Sequence, residues 1–128
     1  MSPGRAAWLL AALASTAAAA DDVVGFSRDV LPILNRACVS CHLEGGEQAG
    51  LVLYPDPRAR LAGVASTQSP LKLVEPGYPA KSYLYAKLEG RHEAAGGSGV
   101  RMPPQAPPLP AADMEKLRQW IAAGAKDD

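Results

Sequence analysis

The sequence has few aromatic residues, only two cysteines and no excess of either charge. Its large rings are limited to Phe26, Trp8, Trp120 and four tyrosines, a thin supply of large side chains for a protein core. Thirteen basic and 13 acidic residues give a formal net charge of zero. This balance argues against a nucleic-acid-binding protein, which would usually be basic. A length of 128 residues predicts a single domain.

The sequence also lacks an apolar run long enough to span a bilayer. Its most apolar stretch, Ala6–Ala20, has 15 residues, whereas a spanning helix needs about 20. Arg5 precedes this stretch, and the small residues 18–20 form a cleavage pattern before Asp21. We therefore expect residues 1–20 to be a signal peptide and residues 21–128 to be the exported domain, with a short uncleaved anchor as the alternative. Export would place the two thiols in an oxidising compartment.

Apolar periodicity predicts a first helix between Phe26 and Ala37. Proline is tolerated only in the first turn of a helix, so Pro32 favours Asp29 as the N-cap, with Ser27 as the alternative. A last helix is predicted within residues 111–123, ended by Gly124. Residues 55–63 are expected to form a turn that could contain one helical turn, and residues 81–88 are expected to be helical, capped by Pro79 and Ser82. Residues 51–54 read as a short extended piece.

Long Gly/Pro-rich loops connect these helices, and residues 90–110 are the longest of them. A loop of this length in a compact domain is usually functional or disordered. The fold is therefore expected to be mainly α, with helices too sparse to build a sufficient core by themselves. Something other than the chain is expected to fill that core.

Both cysteines lie in the stretch Cys38-Val39-Ser40-Cys41-His42, the C-x-x-C-H pattern of c-type haem attachment. Residues three apart on a helix share a face, so Cys38 and Cys41 can each form a thioether with one vinyl group of a single porphyrin. The next residue, His42, then directs its ring at the iron. This reaction consumes both thiols.

Three alternatives explain the motif less well. A thioredoxin-like pair requires a βαβ setting, which the sequence does not indicate. A zinc site requires four ligands; Cys38, Cys41, His42 and His92 supply the number, but adjacent Cys41 and His42 are awkwardly placed around one tetrahedral ion. A structural disulfide leaves His42 without a role.

The far side of a carrier's iron is usually closed by Met or His. Met102 lies late in the long loop, next to Pro103, and proline reduces the conformational freedom of that segment. It is therefore the candidate sixth ligand. Met114 belongs to the apolar stripe of the last helix and is better explained as a core residue. His92 is the competing ligand, although a loop histidine of this kind is more often solvated.

The chain resembles the small class I cytochromes c, and among them the planctomycete-type cytochrome c domains of bacterial secreted proteins. The resemblance is carried by the stretches DVLPILNRACVSCH (29–42), AGLVL (49–53), LAG (61–63), VEPGYPAKSYLYAKL (74–88), RMPP (101–104) and LRQWIAAGA (117–125). It implies a cytochrome c domain over residues 21–128 that contains one covalently attached haem c.

The resemblance further implies thioether bonds at Cys38 and Cys41, with His42 as the proximal and Met102 as the distal iron ligand. It implies that the first and last helices cross and pack against each other, with the haem beneath them. Two features depart from the pattern: Pro110 replaces a Ser or Thr cap, and the glycine stretch 94–99 predicts a more mobile distal loop. Four leucines are expected to line the haem: Leu51, Leu53, Leu84 and Leu88. Three aromatic residues either border the haem or pack elsewhere: Tyr83, Tyr85 and Trp120.

The expected function is one-electron transfer between unidentified protein partners in the periplasm or outside the cell, with no catalytic residue, no nucleic acid and no stable membrane insertion. Alternatives are a haem enzyme or a gas- or peroxide-reactive haem protein with a labile sixth ligand, and a secreted module held by a disulfide. Scattered basic residues either form a docking rim or are simply solvated: Lys72, Lys81, Lys87, Arg91 and Arg101.

Overall fold

The computed structural model describes residues 3, 4, 11, 23–38, 42 and 50–128. These residues are mainly helical, and they form isolated β-bridges rather than a sheet. The α-helices are α1 (Leu31–Ala37), α2 (Pro57–Leu61), α3 (Tyr83–Glu89) and α4 (Ala111–Ala122). The predicted signal peptide lies almost wholly outside the described residues. Within the described part of the chain, no helix combines the length and the apolar character needed to cross a membrane.

The first helical segment begins earlier than α1, with a π-helical turn over Phe26–Val30. Gly25 is its N-cap, so the prediction that Asp29 occupies this position was wrong. Asp29 instead lies inside the first turn, and its carboxylate accepts a hydrogen bond from Gly25 N at 2.9 Å. Helix starts leave several backbone N–H groups without helical partners, and this carboxylate satisfies one of them.

The short helix α2 confirms the helical turn predicted after residue 55. Asp56 is its N-cap, and the Asp56 Oδ1 atom accepts from Ala59 N at 3.2 Å. Pro57 occupies the first turn, where its missing N–H has no consequence. The preceding residues 51–53 are irregular, with Leu53 buried.

The helix α3 was also predicted, and Ser82 stands at its N-cap position as expected. A 3₁₀ turn over Pro79–Lys81 leads into it, and Ser82 is the N-cap residue without a capping hydrogen bond. The Ser82 hydroxyl is buried; it accepts from Glu75 N at 2.9 Å and donates to Tyr78 O at 3.0 Å. The Ser82 hydroxyl therefore stabilises the turn before the helix and does not accept a hydrogen bond from an N–H group in the first turn of α3.

The helix α4 begins after Pro110 and ends just before Gly124, as predicted. Gly124 has φ of +109°, a left-handed conformation that glycine adopts without steric penalty. The buried face of α4 packs on the first helical segment, where the rings of Phe26 and Trp120 lie 5.4 Å apart and are tilted by 38°. The expected packing of the first and last helices is thus confirmed.

One hydrophobic core joins these elements. It draws on both ends of the described chain and on the segments between α2 and α3. Its members are Phe26, Val30, Ile33, Leu34, Leu53, Leu61, Val74, Leu88, Leu109, Leu117, Trp120, Ile121 and Ala125. Half-buried Cys38, Leu51, Leu84, Tyr85, Met102 and Met114 pack against its margin.

Candidate functional site

The motif residues begin where α1 ends. Cys38 is the C-cap of α1, and its half-buried side chain packs against the core. His42 N donates to Cys38 O at 3.2 Å, the i to i+4 pairing of one helical turn. This bond places the His42 backbone one turn beyond the first cysteine. Cys41, the second predicted attachment residue, lies outside the described residues.

The half-buried His42 ring is oriented by the backbone of residue 51. Its Nδ1 atom lies 3.1 Å from Leu51 O. A carbonyl oxygen only accepts hydrogen bonds, so Nδ1 must carry the proton in this contact. The lone pair of a neutral imidazole is then on Nε2. Metal-ligating histidines commonly have this arrangement, with the second ring nitrogen donating to a carbonyl or carboxylate.

The orientation of the His42 ring suits a histidine that binds a haem iron, as the sequence predicts. The ring tautomer leaves a nitrogen ligand available one residue after the C-x-x-C pair, as c-type attachment requires. His42 O also accepts from Leu53 N at 2.6 Å, and Leu53 belongs to the core. Backbone and ring of His42 are therefore both fastened to the 51–53 segment.

Met102, the predicted sixth ligand, lies beside the end of α3. Met102 N donates to Lys87 O at 3.2 Å, and the half-buried side chain packs against the core. Cys38 and Met102 thus border the same core, one from the end of α1 and one from the long loop. The structure gives Met102 a partly apolar environment, which suits a neutral thioether.

The glycine stretch before Met102 packs closely against other residues, which gives its glycines a role other than the predicted mobility. A Cβ atom added at Gly97 would overlap the Tyr83 ring, and one added at Gly96 would lie 3.0 Å from Pro70 Cδ. Ser69 Oγ donates to Ala95 O at 2.6 Å. These glycines allow the backbone to approach its neighbours.

His92 is buried, with 5% of its surface exposed, so the expectation that it is solvated was wrong. Its Nε2 atom lies 2.9 Å from Gly99 O, and its buried Nδ1 atom has no hydrogen-bond partner among the described residues. Lys87 is buried as well, and its Nζ atom donates to Ser98 O. Both side chains hold the loop instead of facing solvent.

The remaining basic residues do not form a common rim. Lys72 pairs with Glu75 at 3.7 Å, and Arg91 pairs with Glu89 at 2.6 Å. Arg101 is half-buried and donates to Ala106 O at 2.7 Å. With Lys87 buried too, these charges are better explained as local contacts than as one docking surface.

The aromatic residues near α3 and α4 have ordinary packing partners. Tyr83 OH donates to Gln68 Oε1 at 3.1 Å, and Trp120 Nε1 donates to Lys126 O at 2.9 Å. Burial raises the pKa of Tyr85 above its usual value. Tyr85 and Met114 border a cavity of about 360 Å³ between α3 and the start of α4. The predicted ligands His42 and Met102 do not line this cavity.

The described residues contain no group of three or more His, Cys, Asp or Glu side chains that could hold a metal ion. Cys38, His42 and His92 therefore do not converge as the zinc alternative requires. Neither a protein family model, nor a curated protein, nor a solved structure matches the chain.

Sequence reasoning missed the residues that support the predicted ligands. The partner of His42 is a main-chain oxygen, which no side-chain pattern marks. Lys87 and His92 contact the segment before Met102 because the loop folds back on α3. Lys87 and His92 lie ten or more residues before Met102, and no sequence motif connects them with it.

Proposed function

We propose that this chain is an exported monohaem c-type cytochrome that carries single electrons. The observation that supports this most is the C-x-x-C-H pattern together with the His42 ring, whose Nδ1 lies 3.1 Å from Leu51 O. Cys38 and Cys41 would hold the haem by thioether bonds, and His42 Nε2 and the Met102 sulfur would be the axial ligands. This is the ligand set that the resemblance to class I cytochromes c implies.

When bound, haem supplies a one-electron couple between ferric and ferrous iron. The protein supplies position and environment. The Leu51 carbonyl holds the His42 ring in one tautomer, which leaves Nε2 as the ligand atom. A thioether from Met102 favours the ferrous state because sulfur is a soft, neutral ligand. Met102 packs against the hydrophobic core, which gives its thioether a partly apolar environment.

His42 and Met102 would together leave no open position on a bound haem iron, and this favours electron transfer over substrate chemistry. The main support for a reactive, open iron was the expected mobility of the glycine stretch. Gly97 instead packs on Tyr83, and Ala95, Ser98 and Gly99 accept hydrogen bonds from buried or half-buried side chains. These contacts support a loop that keeps Met102 in place.

The proposal includes export, because covalent haem attachment of this type is compatible with a secreted chain. Residues 1–20 would direct the protein to the periplasm or beyond, and the partners would be redox proteins that give and take one electron. Lys72 and Arg91 each form an ion pair with a neighbouring glutamate. These residues therefore do not indicate that the partners have a strongly acidic surface.

The test is to produce the chain in a host that attaches haem to exported proteins and to measure the mass of the denatured product. A mass that includes one haem is expected, because thioether bonds survive denaturation. A product with only the polypeptide mass would exclude the proposal. The oxidised protein should also show the weak far-red absorption band of sulfur ligation.

The methionine assignment is tested with a matched pair of variants. Met102→Ala should keep the haem, lose the sulfur band and bind carbon monoxide when reduced. Met114→Ala removes the same side chain from another half-buried position against the core and should keep the band. A band that survives in Met102→Ala and vanishes in Met114→Ala would reassign the ligand.

A further inference from the structure

The segment Ser98–Met102 is fastened to α3 at two neighbouring points, both on Lys87. Lys87 has only 8% of its surface exposed, and its Nζ atom donates to Ser98 O. The main-chain oxygen of the same residue accepts from Met102 N at 3.2 Å. Side chain and backbone of one α3 residue thus hold both ends of the five-residue segment that contains the proposed ligand.

His92 holds the same segment from the other direction. Its Nε2 lies 2.9 Å from Gly99 O, and a carbonyl can only accept, so Nε2 carries the proton. The His92 main-chain oxygen accepts from Gly97 N at 2.8 Å and from Ala95 N at 3.1 Å. The His92 backbone therefore closes the turn over residues 92–97, and the His92 ring hydrogen-bonds to Gly99, two residues further on.

Burial of these two polar side chains is unfavourable unless they are hydrogen-bonded. A lysine is almost never fully buried without a partner, and solvent is close to this loop. The described residues place no carboxylate within ion-pair distance of Lys87, so the Ser98 carbonyl is its compensation. Displacing the Ser98–Gly99 backbone would leave a buried ammonium and a buried imidazole N–H without acceptors.

We propose that Lys87 and His92 are positioning residues that lock the Ser98–Met102 segment against α3 and thereby keep the Met102 sulfur on the haem iron. The inference rests on the proposed function. Neither residue contacts the iron in this scheme. Each acts through the backbone that carries Met102, so its removal should loosen the ligand while the haem stays attached.

The experiment uses the oxidised and reduced holoprotein. His92→Leu and Lys87→Met each remove a donor and keep a side chain of comparable size. In both, the sulfur band should weaken and carbon monoxide should bind the reduced protein roughly tenfold faster, about the factor expected from one lost buried hydrogen bond. His92→Gln, which retains an N–H donor, should restore most of the band and most of the slow binding.

Lys81→Met is the control for Lys87→Met. Lys81 lies just before α3 but is exposed, with its ammonium 5.0 Å from the centre of the Tyr78 ring. This variant should match the wild-type band and binding rate. Hydrogen exchange of the wild-type protein is a second measurement that needs no variant. The Met102 amide should exchange at least about tenfold more slowly than the amide of Gln105, an exposed residue of the same loop.

The outcomes separate this inference from the function on which it rests. A wild-type protein with attached haem and a sulfur band, whose His92→Leu and Lys87→Met variants keep that band and the wild-type binding rate, overturns the inference alone. Fast exchange at Met102 in that wild-type protein does the same. A wild-type protein without haem or without the band overturns the proposed ligation, and the inference with it.

Discussion

The contact between Phe26 and Trp120 provides the sharpest test of how the fold is held together. Trp120 is 1% exposed, packs its ring 5.4 Å from that of Phe26 and donates Nε1–H to Lys126 O. Replacing it with alanine removes the largest fully buried side chain among the described residues and a ring contact between the first and last helical segments. We therefore expect Trp120→Ala to destabilise the holoprotein strongly.

The magnitude follows from burial. Truncation of a buried tryptophan to alanine typically costs about 3–5 kcal/mol. Domains of this size have unfolding free energies of about 5–15 kcal/mol, so one substitution removes a third or more of a typical value. Trp120→Phe keeps most of the apolar volume and loses the hydrogen bond, so about 1–2 kcal/mol is expected.

The measurement is urea unfolding followed by far-ultraviolet circular dichroism, for the wild type, the two single alanine variants and the Phe26→Ala/Trp120→Ala double variant. The double-mutant cycle should give a coupling of about 0.5–1.5 kcal/mol for the ring pair. Val23→Ala, at a side chain 71% exposed, is the control and should change stability by less than about 0.5 kcal/mol. A Trp120→Ala loss below about 1 kcal/mol would refute the packing described here.

Three further predictions concern single contacts. Ser82→Ala leaves Glu75 N without its acceptor and leaves Tyr78 O with Lys81 N as donor, so it should cost about 1–3 kcal/mol in urea unfolding; wild-type stability would contradict the contacts. Gly97→Ala should destabilise by about 1–3 kcal/mol because the methyl group overlaps the Tyr83 ring, and a Tyr83→Leu background should reduce that loss. Hydrogen bonds from Arg28 and then from Gly25 N hold the pKa of Asp29 below its ordinary 3.8. The stability that Asp29 contributes is therefore full above about pH 5 and is lost as pH falls through the lowered folded-state pKa. Urea midpoints of wild type and Asp29→Asn, measured from pH 7 to pH 2, should converge at the acidic end; a constant difference would contradict the assignment.

Local sequence signals predicted the helices well and their details less well. The apolar stripe and Gly124 placed α4 correctly, and Asp56 and Pro57 mark the start of α2. The N-cap was misplaced at Asp29 because a carboxylate within the first turn can also reach back to a free N–H group. Ser82 stands at the expected cap position, yet its hydroxyl is used by residues 75 and 78.

In the candidate site, the sequence predicts the motif residues but not the residues that support them. The spacing of Cys38, Cys41 and His42 predicts haem attachment from chemistry alone, and haem binding remains a prediction. The burial of Lys87 and His92 could not be read from composition, because it depends on a loop of flexible residues returning to α3. A lysine on a short helix and a histidine in a Gly/Pro-rich loop are ordinarily solvated.

The bond between His42 Nδ1 and Leu51 O has a consequence for genetic screens of this protein. Every amino acid has the same main-chain carbonyl group, so replacing Leu51 with another residue leaves the acceptor in place. A saturation library scored for haem incorporation should therefore show position 51 tolerating many polar and apolar residues, while position 42 tolerates none. A main-chain oxygen thus orients the proposed iron ligand, and side-chain substitutions at position 51 do not remove that oxygen.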